Sequence, residues 1–427
     1  MNVQIKKAHR LSGTLQVPGD KSISHRALIC AALAKGRSHI LGLAHCEDVN
    51  STIRCLQDLG VIIISGKTDT TVEGKGVLGF KKPAKILDAG NSGTTIRLLS
   101  GVLAGQPFES QITGDDSLRQ RPMARIIKPL RLMGAQITGQ NDQFAPLLFK
   151  PSNLKGTLHR LRIASAQLKS CLLLAGLYAT DQTTVIEPAK SRNHTEIMLD
   201  YLGVPITVNG NMISVRKCDR VQSEIIRIPA DISAAAFFMV AATIVPDSEL
   251  MLKNVGLNRT RTGIIDVLKS MGAQIRLQNL RNWNNENIGD VLIRSSRLKG
   301  IKISGETIPR IIDEIPVLAV AATQAEGETI ISDASELRFK ETDRISATVE
   351  NLQKMGCAIE ARSDAMIIQG NQSLNGCSLR SFGDHRIAMS FAVAGLVADG
   401  TTTIWNAECC HISFPGFFEQ LRSLVDG

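Results

Sequence analysis

Four short stretches put anion-type donors where a helix should begin. In "VPGDKSISHRA", Pro18 and Gly19 end an extended run, and Lys21, Ser22 and Arg26 stand at the start of the helical run "ALICAALA". A helix N-terminus carries partial positive charge and unpaired N–H groups, so two cations there break the local preference in the direction that suits a bound anion. For that one segment, solvated surface charges beside a Ser22 cap explain the pattern at least as well. "LDAGNSGTTIRLLSG" repeats it: Gly90 and Gly93 free the backbone, Asn91, Ser92, Thr94 and Thr95 are donors, and Arg97 lies one turn in. The Gly-Lys-Ser/Thr ending of a nucleotide loop is absent there. "ASAQLKS" offers Ser165 and Gln167, and "SFGDHRIAMS" offers Asp384, His385 and Arg386. Recurrence favours an oxyanion pocket over four separate caps.

Two further starts are acidic. Asp231 in "PADISA" reads as an ordinary helix cap. Asp313 in "RIIDEIPVLAV" leads straight into an apolar helix; facing cations, it would accept a proton from a substrate hydroxyl. The loops before other helices carry mixed charge: Arg338, Lys340, Glu341, Asp343 and Arg344 in "ELRFKETDRISA", Arg119 and Arg121 in "DDSLRQRPMARII", and Ser191, Arg192, Asn193 and His194 in "KSRNHTEIM". Alone, such a run is a solvated network. Beside the helix starts, Lys340 and Arg344 would hold an anion, and Glu341, flanked by cations, is placed for proton transfer.

The elements that must position these residues recur at intervals of roughly seventy residues. An apolar helix, a strand, an amphipathic helix and a closing strand follow one another at "HRALICAALAKG", and the order returns at "TTIRLLSGVLAG", "AQLKSCLLLAGLYA", "AAAFFMVAATIV", "EIPVLAVAATQAEG" and "HRIAMSFAVAGLVADG". The first helix of each copy is apolar all round and must be buried, whereas the second keeps a polar face and tends to end in Gly after Leu or Met. Six copies make two groups of three, helices inside and strands outside. "VPGDKSIS" and "IPADISAA" resemble each other as crossings between the groups. They predict one domain over residues 18–229 and a second over 1–17 and 230–427, hinged at the two crossings. Helix N-termini from both groups would then converge on the cleft between them.

Composition narrows the partners. The chain has 427 residues, 43% hydrophobic and 21% charged, enough for two full cores. It contains no extended apolar span, and its start lacks the apolar core of a signal peptide, which predicts a cytoplasmic protein. Nine Cys with no C-x-x-C pair fit reduced thiols, with the adjacent Cys409 and Cys410 structural. A net charge of +9 favours acidic partners. With two Trp, two Tyr and no long basic tract, small phosphorylated substrates fit better than nucleic acid.

Together, "PGDKSISHRAL", "GNSGTTIRLL", "RQRPM", "SAQLKS", "SRNHTE", "DEIPVLAVAA", "ELRFKETDRI" and "GDHRIAMSFAVAG" resemble the 5-enolpyruvylshikimate-3-phosphate synthase family, from about Leu15 to the C-terminal "FPGFFEQL". The resemblance implies an α/β fold, a two-domain inverse α/β barrel. Each domain would hold three βαβαββ units with buried helices and outer sheets, and the active site would lie in the interdomain cleft. It also implies transfer of the enolpyruvyl group of phosphoenolpyruvate to the 5-hydroxyl of shikimate 3-phosphate, with phosphate released through a tetrahedral adduct. No metal, organic cofactor, nucleic acid or membrane partner is implied, and the protein would act as a monomer. Both substrates are multiply anionic, as the cationic helix starts require.

Carried over by residue, the resemblance assigns Lys21, Gly93, Arg121, Gln167, Arg344 and Arg386 to phosphoenolpyruvate. It assigns Ser22, Arg26, Ser165, Ala166, Gln167, Ser191, Arg192, Asp313 and Lys340 to shikimate 3-phosphate. Asp313, Glu341 and Lys21 carry the proton transfers: Asp313 takes the 5-hydroxyl proton and Glu341 protonates the methylene carbon. The 18–229 domain would mainly bind shikimate 3-phosphate, and the other would carry the acid–base and phosphoenolpyruvate-binding residues.

Some positions depart from the best-studied branch. Ala166 replaces a second Ser, Arg192 and His194 occupy a region that holds an aromatic residue, and His411, Ile412 and Ser413 stand where a Lys precedes "FP". These changes resemble the glyphosate-tolerant branch, yet Gly93 is still glycine, which implies inhibitor sensitivity. A UDP-N-acetylglucosamine enolpyruvyl transferase would need a reactive Cys in "GDDSLRQRPMARIIK", which has none. An RNA 3′-phosphate cyclase-like protein would need a nucleotide-reactive His and a basic track, neither of which is found.

Overall fold

Runs such as "RALICAAL" leave no face for water, and the helices they form are buried almost all round. In the computed structural model, which describes residues 1–66 and 68–425, all residues of helix Lys21–Leu33 except the first two are buried. The chain divides into two compact units. One comprises Gly19–Ile228 with Asn282–Glu286; the other comprises Met1–Pro18, Pro229–Arg281 and the residues from Asn287 onward. The first unit holds α1 (Lys21–Leu33), α2 (Glu47–Asp58), α3 (Gly93–Leu103), α4 (Asp116–Arg119), α5 (Ala124–Leu132), α6 (Ala166–Gly176) and α7 (His194–Tyr201). The second holds α8 (Ile232–Ile244), α9 (Gly263–Ser270), α10 (Ile308–Ile311), α11 (Ile315–Thr323), α12 (Arg344–Lys354), α13 (His385–Gly395) and α14 (Phe417–Ser423).

Three apolar helices form the centre of each unit: α1, α3 and α6 in one core, α8, α11 and α13 in the other. Amphipathic helices α2, α5, α7, α9 and α12 each end two residues before a glycine in the left-handed region, Gly60, Gly134, Gly203, Gly272 and Gly356. A residue with a Cβ is strained there, so the Leu-Gly and Met-Gly endings stop these helices where the sequence says.

Among the described residues, six sheets surround the two helical cores, and each combines parallel with antiparallel pairing. Each unit is therefore an inverse α/β barrel of three βαβαββ-type repeats, helices within and sheets without. The N-terminal residues complete the second unit: Val3–Lys6 pairs antiparallel with Thr401–Trp405, and Ser12–Leu15 pairs parallel with Glu249–Gly256. In the first unit, Ile225–Arg227 closes the opening sheet by pairing parallel with Lys35–Leu41. Residues 282–286 are the tip of a hairpin whose strands belong to the second unit, while the tip itself packs with the first. There Asn284 Oδ1 accepts from the Arg227 amide at 3.1 Å and its Nδ2 donates to the Arg227 carbonyl at 2.6 Å.

Asp231 caps its helix as expected, three residues read as anion donors or part of such a set cap theirs as well, and the start of α1 needs a correction. Ser92, Ser165, Asp231 and Asp384 each accept a backbone N–H in the first turn of α3, α6, α8 and α13. Helix α1 is capped by Asp20, whose Oδ1 accepts from the Ile23 amide at 2.8 Å, and not by Ser22, which lies inside the helix. A short carboxylate two residues before Ser22, just outside the helix, has the reach for that amide.

Candidate active site

In the α1–α7 unit the cations at the helix starts are not solvated. Lys21 Nζ lies 2.6 Å from Asp48 Oδ2, with the two side chains 16% and 10% exposed. Arg26 is buried: its guanidinium donates to Thr195 Oγ1 at 2.7 Å, to Ser170 Oγ at 2.8 Å and to the Ser22 carbonyl at 2.8 Å. Burial pulls its pKa down to about 10, although the Glu196 and Asp20 carboxylates oppose the shift. Between these two cations, His25 gives or accepts a 2.7 Å bond with Thr52 Oγ1. Burial first, then the Lys21 and Arg26 charges, hold it well below the ordinary imidazole range, so it is neutral.

A second cluster gathers at the start of α3. Arg97 Nη1 donates to Gln167 Oε1 at 2.5 Å, and Gln167 Nε2 donates to Thr94 Oγ1 at 3.0 Å, which ties α3 to α6. Arg121 reaches the Asn91 side-chain oxygen at 2.7 Å and Ser117 Oγ at 3.3 Å. A Cβ on Gly93 would fall 3.0 Å from Arg97 Nη1 and 3.5 Å from Arg121 Nη1, so the missing side chain leaves both guanidinium groups their room. Ser191 Oγ donates to Glu187, which with Glu196 also holds the buried Lys169, each at 2.7 Å. His194 Nδ1 lies 2.6 Å from Glu286 Oε1, both buried. Arg119 instead pairs with Asp116 on the surface, away from these contacts.

The α8–α14 unit gathers Asp313 and Glu341, expected from the sequence to move protons, around one arginine. Arg344, with a side chain 1% exposed, donates from Nε to Asp384 Oδ2 at 2.8 Å, from Nη1 to Asp313 Oδ1 at 3.2 Å and from Nη2 to Glu341 Oε2 at 2.5 Å. Burial works against the charge of Arg344, but Asp384, Glu341 and Asp313 outweigh it and raise its pKa above the ordinary value. Lys340 Nζ stands 3.5 Å from Asp313 Oδ1, and Arg386 Nη2 stands 3.6 Å from Asp313 Oδ2. Asp313, Lys340, Glu341, Arg344, Asp384 and Arg386 thus form one cluster, carried by the starts of α11, α12 and α13. Three carboxylates, Asp313, Glu341 and Asp384, face three cations, Lys340, Arg344 and Arg386, an arrangement that can hold an anion beside groups able to move a proton.

A family model for EPSP synthase (3-phosphoshikimate 1-carboxyvinyltransferase) matches residues 5–421. The chain belongs to the EPSP synthase family. A 3-phosphoshikimate 1-carboxyvinyltransferase of Thermoanaerobacter pseudethanolicus is 52% identical over 424 residues, 99% of this chain and 100% of the relative. One from Bacillus cytotoxicus is 50% identical over 421 residues, 98% and 99% of the two chains. The solved structure of an EPSP synthase from Acinetobacter baumannii superposes with a TM-score of 0.89 at 43% identity, covering 99% of this chain and 98% of that one.

Within this EPSP synthase family fold, several pairings carried no sequence signal. Asp48 sits in the first turn of α2, where an acidic residue reads as a response to the helix dipole. Lys169 lies inside the quoted "SAQLKS", yet its two carboxylate partners come from positions 187 and 196. Arg97 was visible as a basic residue one turn into α3, but its partner Gln167 is seventy residues away. Such pairings depend on how helices pack, and spacing along one strand or helix does not reveal them.

Proposed function

We infer that the chain transfers the enolpyruvyl group of phosphoenolpyruvate to the 5-hydroxyl of shikimate 3-phosphate, giving 5-enolpyruvylshikimate 3-phosphate and phosphate. The observation that carries the mechanism is Arg344 binding Asp313 and Glu341 at 3.2 and 2.5 Å in a nearly dry setting. Asp313 accepts the 5-hydroxyl proton as that oxygen attacks C2 of phosphoenolpyruvate. Glu341 gives a proton to C3, completing the tetrahedral adduct. Breaking the C2–O bond to phosphate and removing a C3 proton then yields the enol ether.

The remaining assignments follow the family's pattern. Lys21, Gly93, Arg121, Gln167, Arg344 and Arg386 bind phosphoenolpyruvate. Ser22, Arg26, Ser165, Ala166, Gln167, Ser191, Arg192, Asp313 and Lys340 bind shikimate 3-phosphate. Bidentate arginine contacts suit phosphate and carboxylate alike. The room kept at Gly93 supports sensitivity to glyphosate. Among the described residues no helix is long and apolar enough to cross a membrane, and the enzyme is proposed to act in the cytoplasm as a monomer.

Phosphate release from phosphoenolpyruvate is the test, with and without shikimate 3-phosphate. Release should require both substrates and fall about 10²- to 10⁴-fold in Glu341→Gln. Release driven instead by UDP-N-acetylglucosamine would assign the sister reaction, and an undiminished rate in Glu341→Gln would remove that residue from proton transfer.

A further inference from the structure

The proposed mechanism gives no role to Glu314, a buried carboxylate beside Asp313. Glu314 follows Asp313 in the chain and its side chain is fully buried. Its Oε1 accepts from Ser233 Oγ, on the first turn of α8. Ser233 Oγ in turn accepts from Arg261 Nη2 at 2.6 Å, and the same Nη2 lies 3.2 Å from Asp231 Oδ1. With the serine oxygen accepting from a guanidinium, its hydroxyl proton points to Glu314. The chain Arg261–Ser233–Glu314 therefore has one direction and brings positive charge toward a carboxylate removed from solvent.

The other cation facing Glu314 is Arg386. Its Nη1 lies 4.0 Å from Glu314 Oε1 and donates to the Asp313 carbonyl at 3.2 Å, while Nη2 lies 3.6 Å from Asp313 Oδ2. Two carboxylates thus compete for one guanidinium, Glu314 from the buried side and Asp313 from the side with 12% exposure. We propose that Glu314, oriented by Ser233 and Arg261, is a positioning residue that shares Arg386 with Asp313, drawing the guanidinium from the inner side so that it stays aimed at phosphoenolpyruvate. Without the inner carboxylate, Arg386 tightens its existing contact with Asp313, and the donor substrate loses a cation to that ion pair. This inference rests on the reading of Arg386 as a phosphoenolpyruvate-binding residue.

Steady-state kinetics on the full-length enzyme separate the two. Arg386→Lys tests the underlying reading, Glu314→Gln removes charge at constant shape, and Ser233→Ala and Ser233→Thr delete and restore the hydroxyl. The inference expects Glu314→Gln to raise the KM for phosphoenolpyruvate about tenfold, with the KM for shikimate 3-phosphate changed by no more than about twofold. Ser233→Ala should move it in the same direction and Ser233→Thr should return it toward wild type, a rescue that a general loss of packing would not give. Equal rises in both KM values, or no rise in Glu314→Gln while Arg386→Lys shows one, would overturn the positioning role. An unchanged KM for phosphoenolpyruvate in Arg386→Lys would overturn the reading beneath it.

Discussion

His25 shows how a residue between two cations proposed to bind substrate is set by its surroundings. It is buried against Thr52 with Lys21 and Arg26 on the same helix, and burial with those charges depresses its pKa well below 6.5. An imidazole whose folded value is depressed takes up its proton more readily in the unfolded chain. Its contribution is therefore fully present above about pH 6.5 and is lost as pH falls below it, at about 1.4 kcal/mol per pH unit until the folded value is reached. Melting temperatures between neutral and mildly acidic pH should fall more steeply for the wild type than for His25→Gln, which keeps a partner for Thr52. Parallel slopes would mean that other groups control acid stability.

At the scale of elements, a polar network fixes α6 against α7 and the loop before it. Lys169 of α6 holds Glu187 and Glu196, with the three side chains 1%, 2% and 5% exposed, while Arg26 of α1 joins Ser170 of α6 and Thr195 of α7. Removing one partner from such a buried set leaves uncompensated charge. Lys169→Met should therefore cost about 3–5 kcal/mol in urea unfolding. A cost below about 1 kcal/mol would show that the two carboxylates adapt, by protonation or by water entry. The same network holds Ser191 through Glu187, so the variant should also weaken shikimate 3-phosphate binding more than phosphoenolpyruvate binding.

For the whole molecule, a net charge of +9 and two anionic substrates make association electrostatic. Raising ionic strength toward about 1 M, where the screening length is about 3 Å, should raise both KM values well before it changes kcat. KM values independent of salt would leave only short-range contacts to account for binding. Periodicity was enough for the helices, because an all-apolar run such as "AAAFFMVAATIV" has no alternative to burial and a Leu-Gly or Met-Gly ending stops a helix locally. The ordered motifs were enough for the family and for the residues that form the Arg344 cluster, since each sits at a helix start that the sequence itself marks. Three things required the folded chain: the partners Asp48, Glu187 and Glu314, the packing of the 282–286 tip with the first unit, and the role of Asp20 as cap in place of Ser22. Local sequence determines which element a residue occupies. A buried charge takes its partner from whatever side chain the packing of another element places within hydrogen-bond reach, and that distance is set only by the tertiary structure.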